Sequence, residues 1–264
     1  MIKFTSDKNE SIAKQICRHS GLPFSVVQKK LRSKEVMVNN ARVDSGNVNV
    51  GDEIIVFAKP KTLSPKIIFE DDKVLVADKP RGIESEDYAK QLGFNAVHRL
   101  DRNTCGVFIM AKTKKIREAL MQALSKNPPT KIYLAKVFGQ PKWNNQIFTA
   151  HLEKRADESF VKIHSKSSSK TVPIQTTLTT IKTGSVMSII EVKLQAGKTH
   201  QIRAHLAHLG FPVVGDEKYG NAERNKTFKS KYQELYAIKI DTRFDDDFEY
   251  LNNIKFEAKY TLNT

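Results

Sequence analysis

Apolar positions along this chain follow two rhythms, and the change from one to the other divides it. Ile12 and Ile16, then Val26, Val27 and Leu31, fall at helical spacing on either side of Gly21-Leu22-Pro23. That spacing predicts two short helices with a break between them. Val36-Met37-Val38 before Asn39-Asn40, and Val48 to Phe57 around Gly51-Asp52, read as short strands joined by turns, so a small β element should follow the helices. Lys59 to Lys66 is rich in lysine, proline and serine and has the composition of a linker. The expected partition is a module over residues 1–60, a linker over 61–66 and a larger domain over 67–264.

Beyond the linker the pattern is mostly strand-like. Ile67 to Glu70 and Val74 to Asp78 are expected as strands around an Asp71-Asp72-Lys73 turn, and Val107 to Ala111 as a buried strand. Thr113 can cap a helix from Lys114 to Ser125 with Ile116, Ala119, Leu120, Ala123 and Leu124 on one face, ended by Pro128-Pro129. Lys131 to Phe138 follows as a strand with Lys131, Tyr133, Ala135 and Val137 sharing a face. Further strands are expected over Gln175 to Ile181 and Val186 to Leu194. Thr199 to Leu209 reads as a helix with Ile202, Leu206 and Leu209 inward. Asp245-Asp246-Asp247 reads as a turn. Strands and helices mix without strict alternation, so the fold class is α+β in preference to a doubly wound sheet.

Charge changes the picture. Lys and Arg number 44 against 29 Asp and Glu, a net charge of +15, which points to a polyanionic partner. Nucleic acid is the first candidate. An anionic membrane is disfavoured, because no apolar run approaches the length of a span and no basic amphipathic tail is present. MIKFTSDKNE has no hydrophobic signal core, so a cytoplasmic protein is expected. Cys17 and Cys105 lie too far apart in the chain to suggest a zinc or disulfide framework and read as free thiols. Lys29, Lys30, Arg32 and Lys34 cluster at the end of the second helix, where cations suit the helix dipole and can meet phosphates; a solvated face fits them equally. Lys162 to Lys170 and Arg224 to Lys231 read as basic loops, open to an RNA backbone or without function.

The stretch HRLDRNTCGVFIMAKT, His98 to Thr113, carries the candidate chemistry. Asp101 stands among His98, Arg99 and Arg102, and a turn-like Asn103-Thr104-Cys105-Gly106 leads into the buried strand. Neighbouring cations favour an ionised carboxylate, and a loop at the mouth of a strand offers it to a ligand. A reactive site and a loop ion pair both fit these residues. His200, His205 and His208 do not make a metal site: only the last two share a helix face, and no acidic or thiol partner adjoins them, so solvated or supporting histidines are expected.

The segment QKKLRSKEVMVNNARVDSGNVNVGDEIIVF resembles the S4 RNA-binding module, with Glu35 and Asn40 where that module usually has glycine. The resemblance implies RNA-facing residues among Lys29, Lys30, Arg32 and Lys34. Four later blocks occur in order: VLVADKPRGIESED, HRLDRNTCGVFIMAKT, KIYLAKVFG and LQAGKTHQIRAHLAHLGFPVVGDEKYG. They resemble the RluA-type RNA pseudouridine synthases, which break the C1′–N1 bond of uridine, turn the uracil and join C5 to C1′.

That resemblance implies a mixed, mostly antiparallel bent sheet flanked by helices, with no cofactor and no metal. It matches Asp101 to the family's catalytic aspartate, which either attacks the sugar or removes a 2′-proton. It matches Arg203 to the arginine that pairs with this aspartate, and Tyr133 to the active-site tyrosine. Arg99, with His98 beside it, would fill the place of an extracted base; the pair would equally serve to hold the loop. Lys131 would support the pocket or a phosphate, and Arg102 would be a phosphate contact or a solvated charge. Arg203 is expected at the edge of the buried stripe of its helix. Cys105 replaces the family's usual serine, but a thiol mechanism would need a methyl-donor site, and no glycine-rich fingerprint follows a strand. The implied partner is RNA, large-subunit ribosomal RNA ahead of transfer RNA, and the protein is expected to be a monomer. Two other classes fit less well: a non-catalytic RNA-binding protein, and a glycosidic-bond hydrolase, for which no second carboxylate is tied to Asp101.

Overall fold

Glycine and asparagine punctuate the N-terminal part where the pattern requires it. In the computed structural model, which describes residues 1–57, 65–154, 160–195 and 197–263, the chain divides into two units, Met1–Leu63 and Ser64–Thr264. The expected linker lies mostly outside the described residues, and Lys66 already belongs to a strand. The first unit runs β1 (Ile2–Thr5), β2 (Glu10–Ser11), α1 (Ile12–Ser20), α2 (Phe24–Arg32), β3 (Val36–Val38), β4 (Ala41–Val43), β5 (Asn47–Val48) and β6 (Glu53–Val56). Gly21 closes α1 in the left-handed region at φ 66°, a conformation without penalty for glycine. Asn39 and Asn40 both take positive φ and turn β3 into β4.

The expected order of two helices followed by a β element needs correction. The strands β1, β6, β3 and β4 form one antiparallel sheet in that order, so the chain opens on a strand. The strands within Val48 to Phe57 do not pair with each other: β5 pairs with β2, while β6 lies between β1 and β3. The alternation of Ile2 and Phe4 with Lys3 and Thr5 is too short to announce β1, whose partner lies about fifty residues away. Ile12, Ile16, Val27, Leu31, Val36, Ile54 and Val56 form this unit's core.

The second unit runs β7 (Lys66–Glu70), β8 (Val74–Lys79), α3 (Ser85–Gln91), β9 (Asn95–Ala96), β10 (Cys105–Ala111), α4 (Lys114–Lys126), β11 (Thr130–Phe138), β12 (Gln146–Lys154) and β13 (Val161–His164). Then come β14 (Thr171–Thr183), β15 (Met187–Leu194), α5 (Gln201–His208), α6 (Ala222–Thr227), β16 (Leu235–Asp241), a 3-10 helix (Asp246–Asn253) and β17 (Phe256–Glu257). Eleven strands join one sheet in the order β13-β12-β14-β15-β11-β16-β10-β8-β7, with β9 on β10 and β17 on β16. Among the described residues only β10 and β16 run parallel. Register shifts in β7, β14 and β16 mark bulges, where strands bend and twist more strongly. The fold is thus α+β with a largely antiparallel sheet flanked by helices.

Every residue of β10 is buried, because both faces of the sheet are covered there. On one face α4 packs Leu120, Ile116, Ala123 and Leu124 against Val107, Ile109 and Val74. Full burial of Leu120 alone stabilises by roughly 1.5–3 kcal/mol. On the other face α3 sets Tyr88 against Phe108. Thr113 caps α4 by accepting from the Ile116 N–H, as its position predicts. Ala119, expected inward, is exposed.

The expected helix over Thr199 to Leu209 is shorter, since His200 sits at φ 52° and blocks helical continuation. The helix is also buried nearly all round from Gln201 to Leu206, because β14 offers polar partners: Gln201 donates to the Gln175 carbonyl, and His205 pairs with the Thr176 hydroxyl. His205 is therefore buried and not solvated. The two expected basic loops are partly ordered elements, β13 and α6. Neither β12 nor β16 is announced by the pattern. Among the described residues no helix is long and apolar enough to cross a membrane.

Gly106 is the one residue at the β10–β16 crossing that must lack a side chain. It sits at φ 122°, and a Cβ there would lie 2.0 Å from the Ala237 carbonyl oxygen. Gly106→Ala should cost about 3 kcal/mol or more, measured as a fall in the urea midpoint with unchanged slope.

Candidate active site

Asp101 lies in the loop that feeds β10, and buried contacts hold that loop on several sides. Ser85 at the start of α3 both donates to the Leu100 carbonyl and accepts from its N–H. Fully buried Lys79, at the end of β8, donates to the carbonyls of Pro80, Ile83 and Arg102. Burial pushes the Lys79 ammonium down to about 8, opposed by nearby acidic groups. Thr104 donates its N–H to the Asp101 carbonyl and accepts from Gln233 at its hydroxyl. His98 belongs to this scaffold. Its Nε2 accepts from the Ile109 N–H at 3.1 Å and its ring stands edge-on to Phe108. Burial drives its pKa well down, so it is neutral. The structure thus places His98 away from the cavity of Asp101, where a substrate contact was expected.

Arg203 reaches Asp101 from α5. Its Nη1 donates to Asp101 Oδ2 at 2.7 Å, while Nε and Nη2 donate to the two oxygens of Asp216 at 2.7 and 2.8 Å. One guanidinium therefore bridges two carboxylates, the bidentate face on Asp216 and the remaining edge on Asp101. Arg203 is 6% exposed, so it is enclosed by its helix surroundings and not at the margin of an apolar stripe. Burial lowers its pKa, but the Asp216 and Asp101 carboxylates outweigh that and raise it overall. The Tyr219 ring lies 5.3 Å from its guanidinium carbon.

Asp216 is the residue that sequence reasoning missed. One of its oxygens also accepts from the N–H groups of Lys218 and Tyr219, and its carbonyl accepts from Asn225 on α6. A Gly-Asp pair reads as a turn from sequence, and its only signal was its place inside the fourth block. Asp216 is not the missing second acid of a glycosidase: its side chain is fully buried and its oxygens are taken.

A cavity of about 240 Å³ opens over this centre, lined by Arg99, Asp101, Lys131, Tyr133, His200 and Arg203 among others. That is smaller than the roughly 300–1,000 Å³ of drug-sized sites. Tyr133 and Lys131 come from one face of β11. Burial, and then the nearby Asp101 charge, push the Tyr133 hydroxyl far up, so it stays protonated at neutral pH. Burial lowers Lys131. Arg99 is exposed at the rim. Arg102 lies outside the cavity lining, donating to the Gly82 carbonyl at 3.1 Å. Cys105 is buried, and burial raises its thiol despite Arg81 and Lys79, which suits packing and not nucleophilic attack. In the first unit Lys29, Arg32 and Lys34 are exposed, whereas Lys30 pairs with Glu35 at 2.7 Å.

Residues 54–208 match the RNA pseudouridylate synthase family. A Helicobacter pylori protein named as an uncharacterized RNA pseudouridine synthase is 31% identical over 227 residues, 81% of this chain and 89% of that protein. A Rickettsia felis ribosomal large subunit pseudouridine synthase C is 27% identical over 258 residues, 83% of each chain. Its Salmonella typhimurium namesake is 29% identical over 237 residues, 77% of this chain and 73% of that one. Among solved structures, human RNA pseudouridylate synthase domain containing 1 shares the fold, with a TM-score of 0.61 at 22% identity over 78% of this chain and 94% of that one.

Removing Asp216 leaves a buried guanidinium half-paired, so Asp216→Asn should cost about 3 kcal/mol or more at pH 7. Burial raises the Asp216 carboxyl, but Arg203 and two backbone N–H groups outweigh it and hold the group below 3.8. Its contribution is therefore complete above that value and is lost as pH falls through the lower folded value. Urea midpoints taken at pH 7 and at about pH 3 should show the gap between wild type and variant narrowing in acid.

Proposed function

The chain belongs to the RNA pseudouridylate synthase family and is an RNA pseudouridine synthase, and on that premise we propose that Asp101 is its reacting carboxylate, acting on a uridine flipped out of structured RNA. The single observation behind this is the Asp101–Arg203–Asp216 centre at the floor of a cavity walled by Tyr133 and Lys131. Isomerisation breaks C1′–N1 and joins C5 to C1′, with the C5 proton lost and N1 protonated, so atoms balance without a redox step. Asp101 either adds to C1′ or removes the 2′-proton. Both routes use the carboxylate oxygens of Asp101, one of which Arg203 holds at 2.7 Å.

Tyr133 supplies a ring on which uracil stacks, and its protonated hydroxyl can relay the C5 proton but not begin as a base. Arg99 at the rim fills the place of the extracted base. Lys131, which lines the cavity, takes a phosphate or supports the base. The first unit is read as an S4-like RNA-binding module. Lys29, Arg32 and Lys34 are its phosphate contacts, with Lys30 occupied by Glu35 and the Phe57 carbonyl. Large-subunit ribosomal RNA is the favoured substrate, supported by the names of the Rickettsia and Salmonella relatives, and the enzyme is read as a cytoplasmic monomer.

Asp101→Asn should abolish isomerisation and leave RNA affinity within a few-fold; turnover by that variant would remove Asp101 from its role. Pseudouridine mapping of total RNA with and without the gene should show a site lost from large-subunit ribosomal RNA. Replacing Lys29, Arg32 and Lys34 together by Ala should reduce the slope of log affinity against log salt by up to about 3.

A further inference from the structure

His200 stands at the margin of the reacting centre without a part in the pairing of Asp101 with Arg203. Its backbone, at φ 52°, turns the chain into α5 and delivers the ring to the cavity wall. Its Nδ1 lies 2.9 Å from the Tyr219 hydroxyl, and that hydroxyl already accepts from the Val161 N–H at 2.7 Å. The hydroxyl also has a proton to donate, and Nδ1 is the one acceptor within reach among the described residues. A neutral imidazole whose Nδ1 accepts carries its proton on Nε2. Burial lowers the pKa of His200, with Lys218 and Arg203 adding to that and Asp101 and Asp216 opposing it, which favours the neutral ring.

The Nε2–H faces Asp101 Oδ1 across 4.0 Å. Asp101 Oδ2 is the oxygen bound to Arg203. A gap of 4.0 Å is too long for a hydrogen bond between the two. It does fit one oxygen atom placed about 2.8 Å from each, with an angle of about 90° at that oxygen. Such an atom has to accept from Nε2–H and donate to a carboxylate. Uracil carbonyls and phosphate oxygens only accept, and uracil N3–H only donates. The 3′ and 5′ oxygens are esterified within a chain. Among the groups that an RNA chain offers, the 2′-hydroxyl remains, bonded to the carbon next to C1′, and it is the group that separates RNA from DNA.

We propose that His200 and Asp101 together bind the 2′-hydroxyl of the target ribose, which makes His200 a specificity-determining residue for ribonucleotides. The proposal rests on Asp101 being the reacting carboxylate of an RNA pseudouridine synthase. Tyr219 acts through His200, fixing its tautomer.

The test uses the full-length enzyme and two synthetic RNA oligonucleotides spanning the mapped site, identical except for uridine or 2′-deoxyuridine at the target. Turnover is followed as tritium released from C5. His200→Asn keeps an amide where Nδ1 lies but withdraws the donor at Nε2, and His200→Gln restores an amide donor near that position. His200→Asn should lose about 10- to 100-fold in kcat/KM on the uridine oligonucleotide and change by less than about threefold on the deoxy one. His200→Gln should regain part of the preference. Because each variant is compared with wild type on both substrates, intrinsic differences in reactivity cancel. An equal loss on both oligonucleotides, or no loss on the uridine one, overturns the proposal and leaves the role of Asp101 standing. A wild-type enzyme inert on the uridine oligonucleotide overturns both.

Discussion

A guanidinium buried between two carboxylates is the interaction on which the rest of this structure depends. Taking Arg203 out of water costs several kcal/mol, and only well-placed partners offset that. Asp216 provides the fixed partner: it holds two of the three donor nitrogens and is itself held by backbone N–H groups and Asn225. What remains of the fork points at Asp101. The Asp101 side chain is thus aimed by a guanidinium that Asp216 holds in place, and a slack Asp216 would leave Arg203 several orientations. The pair of carboxylates also leaves the cluster with one net negative charge, which an incoming ribose hydroxyl can meet by donating.

The sheet explains how segments a hundred residues apart come to share a cavity. Gly106 pairs with Ala237, and Ala237 pairs with Tyr133, so these residues of β10, β16 and β11 lie level across three strands. Asp101, five residues before Gly106, and the Tyr133 ring are thereby brought to one cavity. Lys131 pairs with Leu194, and the start of α5 brings His200 and Arg203 to the same cavity. The parallel insertion of β16 makes this possible, and the missing side chain at Gly106 lets it approach. Packing and chemistry are therefore coupled: a defect at the β10–β16 crossing moves the site along with the core.

Charge works at two ranges. The excess of 15 positive charges attracts a polyanion without regard to sequence. Inside the cavity each charge is individually placed: Arg203 neutralises Asp101, Lys131 is made less hydrated by burial, and Tyr133 is held protonated. His98 and Arg102, adjacent to Asp101 in sequence, instead brace its loop. Proximity in the chain was a poor guide to proximity in the site.

Local signals were legible in the residues alone. Gly21 ends α1, Asn39-Asn40 turn β3 into β4, Thr113 caps α4, and Val107 to Ala111 is a buried strand. Each depends on the conformational limits of a few neighbouring residues. The pairing of Asp101 with Arg203 was also anticipated, through motif resemblance and not through physics. Only the tertiary structure decided that Asp216 is the anchor, that His200 faces Asp101, that α5 is buried nearly all round from Gln201 to Leu206, and that β16 runs through the middle of the sheet. These depend on contacts between distant segments, whose energy is set by burial and by satisfied partners and leaves no periodic trace in the chain.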